Sequence, residues 1–155
     1  MLAKYVVLND IVITPETLDG PEDYSVVGLG ISQTLDYRNN KVLPTKGFIF
    51  ATSLDFAPEG LGAIPFIRGN ARFSYYFQVT SKSSLALGAR AGIISSLSDE
   101  QLPIDERFFN GGATTVRSFS ELTLGPKDRV GYPIGGESFT VFNVEYIFPV
   151  WGDLY

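Results

Sequence analysis

The chain has 155 residues and a net charge of −5; only 19% of residues are charged, low for a soluble surface, and no lysine- or arginine-rich run occurs. One domain fits that length, and the absence of a basic stretch argues against a nucleic-acid partner. With no cysteine and no histidine, there is no disulfide, thiolate metal site, cysteine nucleophile or imidazole base.

Lys4–Ile13 is a β-branched run and reads as a strand, although Asn9 and Asp10 put a polar group on each parity. Met1–Leu8 has too short an apolar core for a signal peptide. No apolar run approaches the roughly 18 residues of a membrane helix. Thr14–Asp23 is a loop punctuated by Pro15, Gly20 and Pro21. Ser25–Asp36 alternates, with Val27, Leu29, Ile31 and Leu35 on one face and Gly28, Gly30, Ser32, Thr34 and Asp36 on the other. Arg38–Lys46 is a turn around Asn39, Asn40 and Pro44. Gly47–Ala57 sends Phe48, Phe50, Leu54 and Phe56 one way, and Ala51, Ser53 and Asp55 the other. Pro58–Ile64 is a short glycine-rich loop.

Pro65–Val79 carries the clearest alternation. Ile67, Ala71, Phe73, Tyr75, Phe77 and Val79 form one face, and Arg68, Asn70, Arg72, Ser74, Tyr76 and Gln78 form the other. This strand far exceeds the globular mode of about 5–6 residues. It is long enough for the roughly 9–11 residues with which a tilted strand crosses hydrocarbon. Thr80–Ser83 is a tight turn. Ser84–Ile94 places Leu85, Leu87, Ala89, Ala91 and Ile93 opposite Ala86, Gly88, Arg90 and Gly92. A long loop, residues 97–137, follows. Ser138–Phe148 returns as a strand, with Phe142, Val144, Tyr146 and Phe148 opposite Asn143 and Glu145.

Alternation alone leaves two architectures open. A soluble sheet buries its apolar face, whereas a membrane barrel turns it outward to lipid. The small residues of the polar face suit a crowded lumen. Tyr24, Phe48, Phe148 and Trp151, near strand ends, suit the aromatic belts of a membrane interface. A soluble β-sheet binding module is the alternative.

The sequence offers little chemistry. Asp99-Glu100 and Asp105-Glu106 read as solvated loop charge, since no base or metal partner stands near them in the chain. Gly111–Thr115 lacks the lysine-serine/threonine ending of a phosphate loop, and no Gly-x-Ser-x-Gly elbow occurs. Arg68, Arg72 and Arg90 read as lumenal hydrogen-bonding and ion-pairing groups. Arg90 and Glu145, on the polar faces of the strands flanking the long loop, are expected to pair across the ladder, for roughly 0.2–1 kcal/mol. Neither an enzyme nor a cofactor or metal site is expected.

The long loop carries a resemblance. Glu106-Arg107-Phe108-Phe109-Asn110-Gly111-Gly112-Ala113-Thr114-Thr115-Val116-Arg117-Ser118-Phe119, then Leu124-Gly125-Pro126, then Pro133–Val150, resembles the sixth extracellular loop and following strand of the BamA/TamA-type outer-membrane assembly barrels, the bacterial surface antigen family. Leu35–Phe48 is similar to that family's strand-turn-strand segment. The resemblance covers nearly the whole chain. It implies an all-β fold: an antiparallel meander of about six strands, part of a transmembrane β-barrel of about sixteen. Residues 1–155 would supply strands seven to twelve, without the POTRA domains, the first six strands or the last four, and with an export signal upstream.

The implied function is folding and inserting other outer-membrane proteins through a lateral opening between the first and last strands. A related translocation or structural barrel is the alternative. The implied location is the bacterial cell outer membrane, and the implied partners are the lipid bilayer, unfolded outer-membrane proteins and accessory assembly subunits. Val116, Arg117, Ser118 and Phe119 would form the functional loop motif, supported by Glu106, Phe108, Phe109, Gly111 and Gly112. In the family the arginine sits on a loop folded back into the barrel and pairs with acidic and aromatic groups on later strands. Here Arg117 is expected either to stay unpaired or to borrow a lumenal acid such as Glu145 or Asp55, and the Val116–Phe119 tip is expected to turn back over the polar face, burying at least two of Phe108, Phe109, Val116, Phe119 and Leu122. Ser118 stands where the family usually has glycine. Were positive φ required there, serine would cost about 1–2 kcal/mol.

Overall fold

A computed structural model describes residues 26–60 and 64–148. The expected strand at Lys4–Ile13, together with Tyr24 and Trp151, lies outside them. Five strands follow one another: β1 (Leu29–Asp36), β2 (Gly47–Ala57), β3 (Phe66–Gln78), β4 (Ser84–Ser96) and β5 (Ser138–Ile147). They hydrogen-bond in sequence order, β1-β2-β3-β4-β5, which is the antiparallel meander the alternating segments predict.

The strand ends differ slightly from those expected, for backbone reasons. Pro65 has no N–H to give a ladder, so β3 begins one residue later. The Val79 N–H turns to the Ser83 carbonyl at 3.0 Å and closes the hairpin. β4 runs past Ile94 to Ser96, and just beyond it the Leu97 N–H still reaches the Pro65 carbonyl at 2.9 Å. β1 begins at Leu29, later than Ser25.

The chain forms two compact units that divide the strands between them. Among the described residues the first comprises 26–31, 54–60, 64–69 and 92–139. Its core is Ala57, Ile64, Phe66, Ile94 and Leu102, with Val26 and Phe108 packed against it. Strand periodicity puts Ala57 on the face of Asp55, Phe66 on that of Arg68, and Ile94 on that of Gly92. The buried cluster therefore lies on the face that reads as polar. The apolar face of the same unit is uncovered: Leu29 is 78% exposed and Ile31 71%. Phe56, Ile67 and Ile93 are exposed as well.

Among the described residues the second unit comprises 32–53, 70–91 and 140–148. Its apolar face is also exposed, at Phe73, Tyr75, Phe77, Phe142, Val144 and Tyr146. Aromatic rings run along it in contact, Tyr37 on Phe48 at 5.1 Å, Phe48 on Phe73 at 6.1 Å and Tyr75 on Phe77 at 4.4 Å between centroids. The turn between β1 and β2 is held by side chains. Asn39 Oδ1 accepts from the Thr45 and Lys46 N–H groups, each at 3.0 Å. Asn40 Oδ1 accepts from Val42 N–H at 2.8 Å. Arg38 forks onto Asp36 at 2.8 and 2.7 Å, and that hydrogen bond raises the Arg38 pKa above its ordinary value.

A water-soluble sheet would bury the face with more apolar area. Here more than fifteen large apolar side chains of one parity stay exposed, among them Phe142 at 76%. Patches that large are not left bare in water by monomeric proteins. Lipid is the surrounding that makes such a face favourable.

Candidate functional site

The loop between β4 and β5 is built outward from its root in the first unit. Leu102, 1% exposed, enters the cluster of Phe66 and Ile94. Pro103 then caps a 3₁₀ turn, Ile104–Glu106, closed by Arg107 N–H to Ile104 O at 3.1 Å. The turn delivers the Glu106 carboxylate to Arg68 Nη2 on β3. The same Nη2 donates to the Glu106 carbonyl at 2.9 Å. The Arg68 guanidinium lies over the Phe66 ring, 5.1 Å from its centroid, within reach of a cation–π attraction. Its Nε is buried and meets no acceptor among the described residues.

Arg107 joins the two limbs of the loop. Its Nε and Nη2 donate to the Leu102 carbonyl at 3.0 and 2.9 Å, and Nη1 reaches the Ile134 carbonyl at 3.4 Å. Phe108 and Gly136 exchange backbone hydrogen bonds, both 2.8 Å, and the Phe108 ring meets Phe139 at 4.9 Å. Gly135 is required where the limbs cross. Its φ is +69°, and a Cβ there would stand 2.8 Å from Arg107 Cβ and 2.9 Å from the Phe109 ring.

Beyond Phe109 the chain forms a closed subloop. Leu124 N–H donates to Asn110 O at 2.9 Å, and Gly112 N–H to Phe119 O at 2.9 Å. Thr115 Oγ1 both accepts from Gly111 N–H at 2.8 Å and donates to Gly111 O at 2.9 Å. Gly111 and Gly112 are buried, with φ of +111° and +89°, and the Glu121 carboxylate occupies the place a Gly112 Cβ would need. Glu121 Oε1 accepts from Ala113 N–H at 3.2 Å. Val116 is half-buried, whereas Arg117, Ser118 and Phe119 are exposed.

These placements bear on two expectations. Phe119 at 47% and Leu122 at 55% exposure are not buried in this chain, although Phe108, Phe109 and Val116 are half-buried. Ser118 carries no positive-φ strain: among the described residues Leu122, at φ 60°, is the non-glycine residue in that region.

In the second unit, Arg72, Tyr76, Arg90, Asn143 and Glu145 line one pocket on the polar face. The Val79–Ser83 hairpin bond sets Ser74 opposite Gly88, and a Cβ on Gly88 would lie 3.7 Å from Ser74 Oγ and 3.6 Å from Asn143 Cβ. Counting from those pairs, Arg90 stands opposite Arg72 on one side and Val141 on the other, while Glu145 stands opposite Ala86. Arg90 and Glu145 thus line the same pocket from different rungs of the ladder. The register across a loop as long as residues 97–137 is set by tertiary packing, which alternation does not encode.

Sequence reasoning placed Glu106, Phe108, Phe109, Gly111 and Gly112 in the loop but missed Arg107 and Gly135. Nothing distinguishes Arg107 from a solvated loop arginine until its carbonyl partners are known. The second Gly-Gly pair, Gly135-Gly136, was the available signal for a limb crossing.

Comparison with known proteins places these features in a family. The Omp85 superfamily domain matches residues 4–155. A SAM50-like protein of Schizosaccharomyces pombe is 35% identical over 131 residues, covering 79% of this chain and 26% of that protein. The outer membrane protein assembly factor BamA of Nitratidesulfovibrio vulgaris is 32% identical over 123 residues, covering 78% and 16% respectively. The crystal structure of BamA from Haemophilus ducreyi lacking POTRA domains 1–3 superposes with a TM-score of 0.73 at 21% identity, over 83% of this chain and 26% of that one. The chain spans about a quarter or less of the length of these proteins.

Proposed function

This chain belongs to the Omp85 superfamily, and from that premise we propose that it is the central wall and inner loop of an outer-membrane barrel that folds and inserts other β-barrel proteins. It is a BamA-type segment of an outer-membrane barrel. The observation that carries the functional reading is the seating of the motif-bearing loop. Its root packs on the polar-patterned face of the sheet through Leu102 and Glu106, while the opposite face is apolar and exposed. Closing such a sheet with further strands would turn the apolar face to lipid and enclose the loop.

Within that reading the chain acts without covalent chemistry. Its residues hold a wall and a loop, and the clients are unfolded outer-membrane proteins whose strands pair at an edge. Val116–Phe119 is the segment offered to the rest of the barrel. Arg117 brings five fixed donors, suited to a carboxylate and an aromatic ring on strands outside this chain. Exposed Phe119 and Leu122 give those strands apolar surface to cover.

The test uses the complete protein reconstituted in liposomes and presented with a urea-unfolded outer-membrane barrel protein. Faster appearance of the folded client than in empty liposomes is expected, and Arg117→Ala is expected to slow it by about tenfold, the weight of one charge-assisted hydrogen bond. A wild-type protein that conducts solutes but leaves the folding rate unchanged would instead make this a transport barrel.

A further inference from the structure

We propose that Arg68 and Glu106 form the tether that seats the root of the long loop on β3, and that they are positioning residues for the loop motif at Val116–Phe119. This rests on the assembly reading above. Leu102 and Phe108 anchor the loop by apolar packing, which is favourable but not directional. The Arg68–Glu106 contact adds direction. One guanidinium nitrogen, Nη2, holds both the side chain and the backbone carbonyl of Glu106, so it fixes where the 3₁₀ turn sits and how it is rotated. The guanidinium itself lies over the ring of Phe66, a core residue of the same strand. Both side chains are largely withdrawn from solvent, 24% exposed for Arg68 and 19% for Glu106, so water and salt screen the pair less than a surface pair.

The consequence reaches the far limb. Arg107 follows Glu106 directly and joins the Leu102 and Ile134 carbonyls. Phe108 follows Arg107 and pairs with Gly136. A shift of Glu106 therefore moves the outgoing and returning limbs together, and with them the subloop that bears Arg117. An isolated loop glutamate and an isolated strand arginine would do none of this. The pairing of a β3 strand residue with the first turn of the loop is what couples wall to tip.

The experiment is a charge-swap cycle in the complete protein. Arg68→Ala, Glu106→Ala, the double alanine variant and the exchanged pair Arg68→Glu/Glu106→Arg are compared, with Glu106→Gln as a same-size variant should an alanine variant fail to fold. Barrel folding is checked by gel mobility without heating. Amide hydrogen exchange of residues 101–137 in micelles reads the seating, and liposome assembly of an unfolded client reads the function. Each single variant is expected to speed loop exchange by about tenfold and slow assembly by a comparable factor. The double variant should be no worse than either single, and the exchanged pair should recover at least part of both losses. A merely space-filling role would not respond to the exchange of charges. Unchanged loop exchange in the single variants, or a double variant whose loss is the product of the singles, overturns the tether. Loosened exchange with unimpaired assembly overturns the positioning role. A wild-type protein inactive in assembly refutes the function proposed above, and the tether is then decided by the exchange readout alone.

Discussion

Leu122 sits at φ 60°, where an L-residue's Cβ crowds the following carbonyl at a cost of about 1–2 kcal/mol. Its side chain is 55% exposed, so little packing in this chain offsets that cost. Leu122→Gly is therefore expected to raise stability by about 0.5–1 kcal/mol, after the extra freedom glycine gives the unfolded chain. Ser118→Gly is expected to have the opposite sign. No positive φ is relieved there, so only the unfolded-state term remains, a loss of up to about 1 kcal/mol. Urea midpoints of the complete barrel in micelles check both signs. At Gly135 backbone and packing act together. A methyl group would crowd Arg107 and Phe109 at a positive φ, and Gly135→Ala is expected to cost about 3 kcal/mol. The sequence shows the glycine pair but not this reason for it, because Arg107 and Ile134 are 27 positions apart.

For the strands, β3 separates two environments within one element. Phe73 lies near its middle on the exposed apolar face, in ring contact with Phe48 and Tyr75, while Arg72 beside it lines the polar pocket. If that apolar face meets lipid, Phe73→Arg costs about 2–4 kcal/mol near the bilayer midplane. Arg72→Gln, on the other face, is expected to change the folded fraction far less. Folding into liposomes, scored by gel mobility without heating, separates the two, and equal tolerance would contradict the lipid-facing assignment. These faces were legible because side chains alternate with period 2 whatever surrounds the sheet. What alternation left open was the sense of the pattern, lumen or core, and the exposure of Leu29, Phe73 and Phe142 on one parity resolves it. The register of β4 on β5 was not legible. It depends on how a loop closes, and one residue of slippage reassigns every neighbour. The small core was hidden too: Phe66 and Ile94 fall on the parity that reads as polar, yet they are buried in a cluster that Leu102 of the loop joins.

At the scale of the whole molecule the five described strands leave two ladder edges, on β1 and β5, with one hydrogen-bonded neighbour each among the described residues. A strand edge is a template for another chain, and in hydrocarbon its free N–H and C=O groups cost several kcal/mol apiece. The apolar face adds a second liability, since large side chains such as Leu29, Phe73 and Phe142 stay exposed on it. Against these stands one small core, whose members Ile94 and Leu102 are each 1% exposed. Leu102→Ala alone is expected to cost about 2–5 kcal/mol, a large share of the 5–15 kcal/mol that usually separates folded from unfolded chains. The 155-residue chain expressed by itself is therefore expected to aggregate in plain buffer and to stay dispersed only in detergent. Sedimentation velocity in buffer with and without micelles reads this directly. A single monomeric species in plain buffer, with the strand content intact by circular dichroism, would mean that the exposed face is not a lipid surface and that the sheet is complete without neighbours.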